Sequence, residues 1–112
     1  MSVLSIVLPA YNEEQNIPNT AKVLAEFLDK HGIDYELVFI SDGSKDNTYA
    51  EIQKVAAENP RIKGAQFSRN FGKEAGIFAG LELAMGDAVV VMDCDLQHPP
   101  EAILPMWEKW KN

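Results

Sequence analysis

Two carboxylates one residue apart follow a strongly apolar segment of this chain, residues 88–92. If the backbone is extended there, Asp93 and Asp95 point the same way and Cys94 points the opposite way. Two carboxylates at the end of a strand can hold a divalent cation, which prefers hard oxygen ligands and often bridges protein to phosphate. Gln97 adds a neutral oxygen two residues later. An acidic surface turn is the alternative interpretation of this pair alone.

Two other segments carry groups that suit a nucleotide. Tyr11 and Glu13 follow the first apolar segment of the chain. A tyrosine ring can stack on a base, and a carboxylate can accept hydrogen bonds from ribose hydroxyls or ring N–H groups. Asp42 follows the second apolar segment and can accept an N–H from a base edge. Taken alone, Glu13 also fits the first turn of a helix, and Asp42 also fits a turn without a ligand.

Basic residues follow the third apolar segment. Arg69 and Lys73 lie beside a predicted helix start, where phosphates or an acidic base edge could bind. Solvated surface charges are the alternative interpretation. The chain contains neither GxxxxGK[ST] nor GxGxxG, so a P-loop and a dinucleotide fingerprint are both excluded. Cys94 has no convincing histidine partner, and we expect it to be a buried small residue rather than a nucleophile.

Composition limits the classes of function. The 112 residues suit a single domain with a real core. The net charge of −7 argues against non-specific binding to nucleic acid or to anionic membranes. A single cysteine excludes an intramolecular disulfide and weakly favours a reducing compartment. The N-terminus does not resemble a signal peptide, and no apolar run approaches the roughly 20 residues that span a bilayer.

Alternating apolar and helical segments must position these groups. The four predicted strands are Leu4–Leu8, Glu36–Ile40, Ile62–Phe67 and Ala88–Met92. They are continuous and rich in β-branched residues, which is typical of strands buried on both faces of a parallel sheet. Helices are predicted over about 17–31, from just after Asp46 to about 59, over about 73–84, and from about 100, with Asn16 and Asp46 as N-caps.

This alternation predicts an α/β fold with a Rossmann-like parallel sheet. We expect the strand order three-two-one-four, which leaves the fourth strand at an edge. Ligands of such sheets bind beyond the carboxyl ends of the strands, so the separate segments should converge on one rim. Gly76 and Gly80 should let the third helix approach its neighbour closely, and Pro105 should remove one hydrogen bond from the last helix.

Four segments, in this order, resemble a known family. They are residues 6–13 (IVLPAYNE), 41–48 (SDGSKDNT), 69–73 (RNFGK) and 93–101 (DCDLQHPPE). Together they resemble the family 2 inverting glycosyltransferases of the GT-A fold. The resemblance is strongest to the polyprenyl-phosphate branch, which includes dolichol-phosphate mannose synthase and bacterial undecaprenyl-phosphate glucosyltransferases. It covers nearly the whole chain, although Ser41 stands where many members have an aspartate.

The resemblance implies a role for each matching residue. The implied nucleotide-sugar-binding residues are Pro9, Tyr11, Asn12, Glu13, Asp42, Arg69, Lys73, Asp93 and Cys94. Asp93 and Asp95 would be the catalytic residues, and Asp95 with Gln97 would bind Mg²⁺ or Mn²⁺. The metal would neutralise charge on the departing diphosphate.

The implied function is metal-dependent transfer of a sugar from a UDP- or GDP-linked donor, with a polyprenyl phosphate as acceptor. Residues 1–112 would form a single nucleotide-sugar-binding domain, the N-terminal donor-binding part of a longer enzyme, and would be inactive alone. The full-length enzyme is expected on the cytoplasmic face of a membrane, and the fragment is expected to be soluble and to self-associate. The alternatives are a nucleotide- or metal-binding module without catalysis and, less well matched, a DxDx(T/V) phosphatase, because Gln97 occupies its Thr/Val position.

Overall fold

Four strands alternate with helices along the chain. The computed structural model describes residues 2–96 and 99–111. The strands are β1 (Val3–Ala10), β2 (Asp34–Ser41), β3 (Ile62–Gln66) and β4 (Ala88–Val91). The helices are α1 (Ile17–Lys30), α2 (Thr48–Glu58), α3 (Lys73–Leu83) and α4 (Ile103–Lys111), and a short 3₁₀ turn, Pro100–Ala102, precedes α4. None of the helices in the described residues is long and apolar enough to cross a membrane.

The strands form one parallel sheet in the order β3-β2-β1-β4. This confirms the predicted Rossmann-like α/β fold, the strand order and the edge position of β4. β1 pairs with β2 along its whole length, whereas β4 pairs only with Leu4–Val7 of β1. Strands β2 and β3 are added on one side of β1 and β4 on the other, so the strand order reverses between β1 and β4. Ligands bind at this point in sheets of this type.

The larger core lies between one face of the sheet and helices α1, α2 and α4. Alternate residues of β1, such as Ile6 and Leu8, point into it and are fully buried. Leu24 of α1, Ile52 of α2 and Ile103 of α4 close the core from the helical side. This alternation follows from the twofold side-chain period of a strand, because successive residues of β1 point to opposite faces.

Helix α3 covers the second face, and glycine makes its close approach to the sheet possible. A Cβ added at Gly80 would lie 2.3 Å from Val7 Cγ1, so no other residue fits there without a shift. A Cβ at Gly76 would meet Pro9 Cβ at 3.6 Å, which is ordinary contact. The predicted close packing is therefore confirmed at Gly80, whereas Gly76 leaves room for a methyl group.

Several predicted boundaries and caps differ from the structure. β4 ends at Val91 rather than at residue 92. Asn16 is the N-cap residue of α1, as predicted, but its side chain makes no capping bond; its Nδ2 donates instead to Glu13 Oε2 at 2.6 Å. The N-cap of α2 is Asn47 rather than Asp46 as predicted, although Asp46 Oδ1 accepts the backbone N–H of Thr48, the first helical residue, at 3.0 Å. Pro105 lies in the first turn of α4, where a missing N–H costs little.

A partly buried polar network fixes the turn between α3 and β4. Glu36 accepts hydrogen bonds from the Ser5 hydroxyl and the Met85 amide, and Lys63 Nζ lies 2.9 Å from its other oxygen. The Ser5 hydroxyl in turn accepts the Gly86 N–H at 2.8 Å. Burial alone would raise the pKa of Glu36, but these donors outweigh it and lower the pKa below 4.5. The start of β4 is thereby held against β1.

Candidate functional site

A cleft of about 430 Å³ opens at the carboxyl ends of the strands. It lies between the loops that follow β1, β2 and β4 and the start of α3. Its described lining residues are Pro9, Ala10, Tyr11, Glu13, Asp42, Asn70, Gly72, Lys73, Asp93, Cys94 and Asp95. The convergence expected from the topology is therefore present, since the cleft combines residues from all four sequence segments.

The loop after β1 is tied to the loop after β2 by Asn12. Its backbone is left-handed, with a φ of 53°, which asparagine tolerates better than most residues. Asn12 Oδ1 accepts the Lys45 N–H at 2.9 Å, and the Asn12 N–H donates to Ser44 Oγ at 3.1 Å. The next amide, that of Glu13, donates to Thr48 Oγ1 at 2.8 Å. These bonds hold both loops in one arrangement at the cleft.

Asp42 holds the loop that leads into α3. Its carboxylate is almost fully buried and accepts the N–H of Phe71 at 2.8 Å and of Gly72 at 3.0 Å, one on each oxygen. Asn70 Nδ2 donates to the Asp42 carbonyl at 3.3 Å. The two loops touch so closely that a Cβ at Gly43 would lie 2.1 Å from the Arg69 carbonyl carbon. Asp42 is thus a structural clamp whatever else it binds.

Lys73 and Asp93 form an ion pair across the cleft. Lys73 is the first residue of α3, and Asp93 follows β4. Lys73 Nζ lies 2.7 Å from Asp93 Oδ1, and both side chains are well exposed, at 61% and 40%. The pair brings an ammonium group directly onto one of the two carboxylates that were predicted to act together.

Cys94 contributes to the cleft lining, but its side chain is buried. Burial, together with the nearby negative charges of Glu13, Asp95 and Asp93, raises the pKa of its thiol to about 12, although the Thr20 hydroxyl opposes the shift. Thr20 Oγ1 also donates to the Cys94 carbonyl. The expectation of a buried cysteine is confirmed, and the raised pKa agrees with the prediction that Cys94 is not a nucleophile.

Asp93 and Asp95, the two aspartates of the predicted metal site, line the same cleft, although the extended backbone predicted for them is absent. Residues 94 and 95 form a turn, so the assumption of an extended backbone is wrong. Gln97, the other predicted metal ligand, lies outside the described residues. Within residues 2–96 and 99–111, no cluster of three or more acidic, histidine or cysteine side chains is placed to hold a metal. Two carboxylates still offer the hard oxygens that Mg²⁺ and Mn²⁺ prefer, and an ammonium already occupies one of them.

Sequence reasoning placed most lining residues correctly and missed a few. Arg69 is absent from the described lining, and its guanidinium lies 4.8 Å from the centre of the Phe71 ring. Asn12 acts through the backbone contacts above. Asn70 and Gly72 line the cleft and were not predicted. The positive φ of Gly72, 102°, suits glycine, and a glycine just before a helix is the signal that could have indicated it.

The parallel sheet and its carboxyl-end cleft define a doubly wound, Rossmann-like α/β protein. A family model described as "Glycosyl transferase family 2" matches residues 5–112. The chain therefore belongs to glycosyl transferase family 2.

Curated relatives share a high identity over most of this chain. It is 50% identical over 108 residues to an uncharacterized glycosyltransferase, YkcC, of Bacillus subtilis strain 168, which covers 96% of this chain and 33% of the relative. It is 46% identical over 108 residues to the bactoprenol glucosyl transferase of Shigella phage SfV, with 96% and 35% covered. The chain thus spans about a third of the length of these relatives.

Solved structures share the fold. The mannosyltransferase PcManGT from Pyrobaculum calidifontis, in complex with GDP-Man and Mn²⁺, matches with a TM-score of 0.70 and 26% identity, over 84% of this chain and 27% of that one. Glucosyl-3-phosphoglycerate synthase from Mycobacterium tuberculosis, in complex with UDP, matches with a TM-score of 0.68 and 26% identity, over 93% and 38%. Both resemble this chain over most of its length.

Proposed function

We propose that this chain supplies the donor-binding part of a metal-dependent glycosyltransferase that moves a sugar from a nucleoside-diphosphate sugar to a polyprenyl phosphate. The observation that carries the proposal is the cleft, which combines residues from all four motif segments. Membership of glycosyl transferase family 2 supports the class of reaction. The relatives named bactoprenol glucosyl transferase support a lipid-phosphate acceptor, and the neighbours bound to GDP-Man or UDP support the donor class.

In this proposal the loops after β1 and β2 hold the nucleoside. Tyr11 is 42% exposed, which leaves its ring available to stack on a base. The Glu13 carboxylate accepts ribose hydroxyls. Asp42 already accepts two backbone amides, yet a carboxylate offers about four lone-pair sites, so it can also accept a base N–H. Pro9 and the backbone of Cys94 complete the wall.

Asp93, Asp95 and Gln97 would hold Mg²⁺ or Mn²⁺ beside the diphosphate. When bound, the ion supplies Lewis-acid neutralisation of the charge that develops on the departing diphosphate. Lys73 is the cation of the described lining, and it can contact the same phosphates. Arg69 supports the site indirectly, because its guanidinium packs on the ring of Phe71.

The proposed reaction needs little proton transfer from this chain. A phosphate oxygen of the acceptor forms a bond to the anomeric carbon of the sugar, and the bond from that carbon to the diphosphate breaks. The electron pair of the broken bond leaves with the nucleoside diphosphate, and attack from the opposite face inverts the anomeric centre. Because a lipid phosphate is already anionic, a general base is dispensable. The full-length enzyme would work at the cytoplasmic face of a membrane, where such an acceptor is embedded.

Calorimetry with UDP and GDP tests donor binding. We expect one of them to bind weakly without metal and more tightly in the presence of Mg²⁺ or Mn²⁺. Asp95→Ala should remove the dependence on metal, and Asp42→Ala should weaken nucleotide binding even without metal. Asp29→Ala is the control, since Asp29 is exposed at the far end of α1. Equal affinity with and without a chelator would contradict the metal site, and no binding of either nucleotide would contradict the proposed donor.

A transfer assay separates an enzyme from a binding module without catalysis. We expect the 112 residues to form no glycolipid from a radiolabelled donor and a polyprenyl phosphate, and a chain of the full length of its relatives to form it. Glycolipid formation by the 112 residues would show that no further part is needed. A full-length chain that binds donor but never transfers would favour the binding module.

We also propose that this chain pairs with a second copy of itself along the β4 edge. Among the described residues, β4 pairs with β1 alone. Val89 and Val91 are about two-fifths exposed on the α3 side, and Met106 and Trp110 are about half exposed on the α4 side. An uncharged strand edge flanked by apolar side chains on both faces is a template for strand pairing. A symmetric pair would cover the same residues on both copies.

A further inference from the structure

The cleft is strongly acidic for a site that is to receive a diphosphate. Among its described lining residues, four are carboxylates, namely Glu13, Asp42, Asp93 and Asp95, and Lys73 alone carries a positive charge. A nucleoside diphosphate is itself anionic, so this arrangement repels it unless further positive charge is added. Both Lys73 and any bound cation would therefore supply positive charge that offsets this repulsion.

Lys73 stands where it would oppose such a cation. Its Nζ lies 2.7 Å from Asp93 Oδ1, which is a hydrogen-bonding distance to an oxygen that a divalent ion could use. Two positive charges a few ångströms apart repel each other, even at a high effective dielectric constant. A cation held by Asp93 and the Lys73 ammonium in its present position therefore compete for this carboxylate.

The pair is built to open easily. Both side chains are well exposed, and ion pairs of this kind contribute little to stability. The lysine reaches Asp93 on a flexible four-carbon stem that starts at the first residue of α3. Once displaced, the ammonium remains at the cleft, where it can meet a phosphate.

From this geometry we propose that Lys73 is an exchangeable counter-ion. It neutralises Asp93 while the site is empty, gives up this carboxylate when a divalent cation arrives, and then contacts the diphosphate of the donor. The proposal rests on the proposed donor site and adds an order of events: the cation binds first, and its arrival releases the lysine for the nucleotide. Lys73 is then a donor-binding residue that couples the two binding steps.

The test uses the 112-residue chain and measures two affinities. Mn²⁺ binding is followed alone by the loss of the free-ion signal in electron paramagnetic resonance, and UDP and GDP binding is followed by calorimetry at saturating Mn²⁺. In Lys73→Ala we expect Mn²⁺ alone to bind about three- to tenfold more tightly, because its competitor is gone. The nucleotide should bind about tenfold more weakly, because a charge-assisted contact is lost. These opposite changes are the signature of the exchange.

Two further variants control for charge and folding. Lys73→Arg keeps the charge and should stay within about threefold of the wild type in both measurements. Lys54→Ala removes the same charge from another exposed ion pair, with Glu51 on α2, and should change neither affinity. Urea unfolding of each variant shows whether the fold is kept.

The outcomes separate this inference from the proposed function. Unchanged or weaker Mn²⁺ binding in Lys73→Ala overturns the counter-ion role, as does a wild-type chain that binds no Mn²⁺. Tighter Mn²⁺ binding in Lys73→Ala without any binding of UDP or GDP to the wild type supports displacement of the lysine but overturns the donor site and the coupling to it.

Discussion

The carboxylate of Asp42 and the backbone amide of Gly72 are joined by a hydrogen bond of 3.0 Å, although 30 positions separate them in the chain. A second bond of 2.8 Å joins the same carboxylate to the Phe71 amide. The end of β2 therefore determines where α3 begins, and with it where Lys73 stands. One buried aspartate links the sheet to the only described cation of the cleft lining.

Replacing Asp42 should loosen this link. In Asp42→Asn, one carboxylate oxygen becomes an NH₂ group that faces a backbone N–H, so a buried donor loses its partner. We expect a loss of about 1–3 kcal/mol in the free energy of unfolding. Urea unfolding measures this loss, and hydrogen exchange at the amides of Phe71 and Gly72 should become faster. Asp29→Asn makes the same chemical change at an exposed position and should alter neither. Unchanged exchange at both amides in Asp42→Asn would contradict the clamp.

The two glycines of α3 offer a matched comparison. Gly80→Ala places a methyl group 2.3 Å from Val7 Cγ1, and we expect it to destabilise the fold by about 1–3 kcal/mol. Gly76→Ala has room, so it should be neutral or stabilise the protein by up to about 1 kcal/mol through helix propensity. Thermal unfolding of both variants checks the difference. Equal effects would mean that α3 lies farther from β1 than the structure shows.

The contrast between these glycines also shows which structural features the sequence could predict and which it could not. Strand positions followed from continuous apolar runs, and the order of the strands followed from the alternation with helices. The spacing of Gly76 and Gly80 indicated a close helix face, but it could not show which of them touches the sheet. That distinction depends on the tilt of α3 over Val7, which tertiary packing sets.

The site was predictable in composition and less so in contacts. Topology alone predicted that Glu13, Asp42 and Asp95 would meet, because the carboxyl ends of parallel strands share one edge. Residue types could not predict which backbone amides donate to Asp42, because every residue except proline carries an N–H. The ion pair of Lys73 depends on where α3 starts, so it too appeared only in the folded chain.

The thiol of Cys94 should be protected while the protein is folded. Because burial and nearby carboxylates raise its pKa to about 12, almost none of it is thiolate at pH 8. We expect a disulfide reagent to label the native protein far more slowly than the urea-unfolded protein. Thr20→Val removes the hydroxyl that opposes the rise in the thiol pKa, so the thiolate becomes rarer and labelling of the native protein should not become faster. Since this is the single cysteine of the chain, the signal is unambiguous, and rapid native labelling would contradict its burial.

Stability should fall in acid in part through Glu36. Its folded-state pKa is lowered below 4.5, so its contribution is fully present above that pH and is lost as the pH falls through the folded-state pKa. We expect Glu36→Gln to cost about 1–2 kcal/mol at pH 7, because bonds from Ser5 and Met85 are weakened. The difference from the wild type should shrink steadily below pH 4.5. Urea unfolding between pH 7 and 3 measures it, with exposed Glu26→Gln as the control. A difference that stays constant across this range would contradict the lowered pKa.

Self-association should depend on the β4 edge. Val91 is 42% exposed on the strand that pairs with one neighbour among the described residues, and its side chain borders the face covered by α3. Val91→Lys places a charge at this edge, which natural sheets use to prevent pairing with another chain. We expect light scattering over a dilution series to show a dimer or larger species for the wild type and a monomer for Val91→Lys.

Ala57→Lys adds the same charge at an exposed position of α2, and it should leave the association unchanged because α2 packs toward β3 at the opposite edge of the sheet. Because each copy carries a net charge of −7, added salt should strengthen the dimer by screening repulsion. A wild-type chain that stays monomeric at tens of micromolar, with or without salt, would show that α4 and its tryptophans are enough to protect the edge.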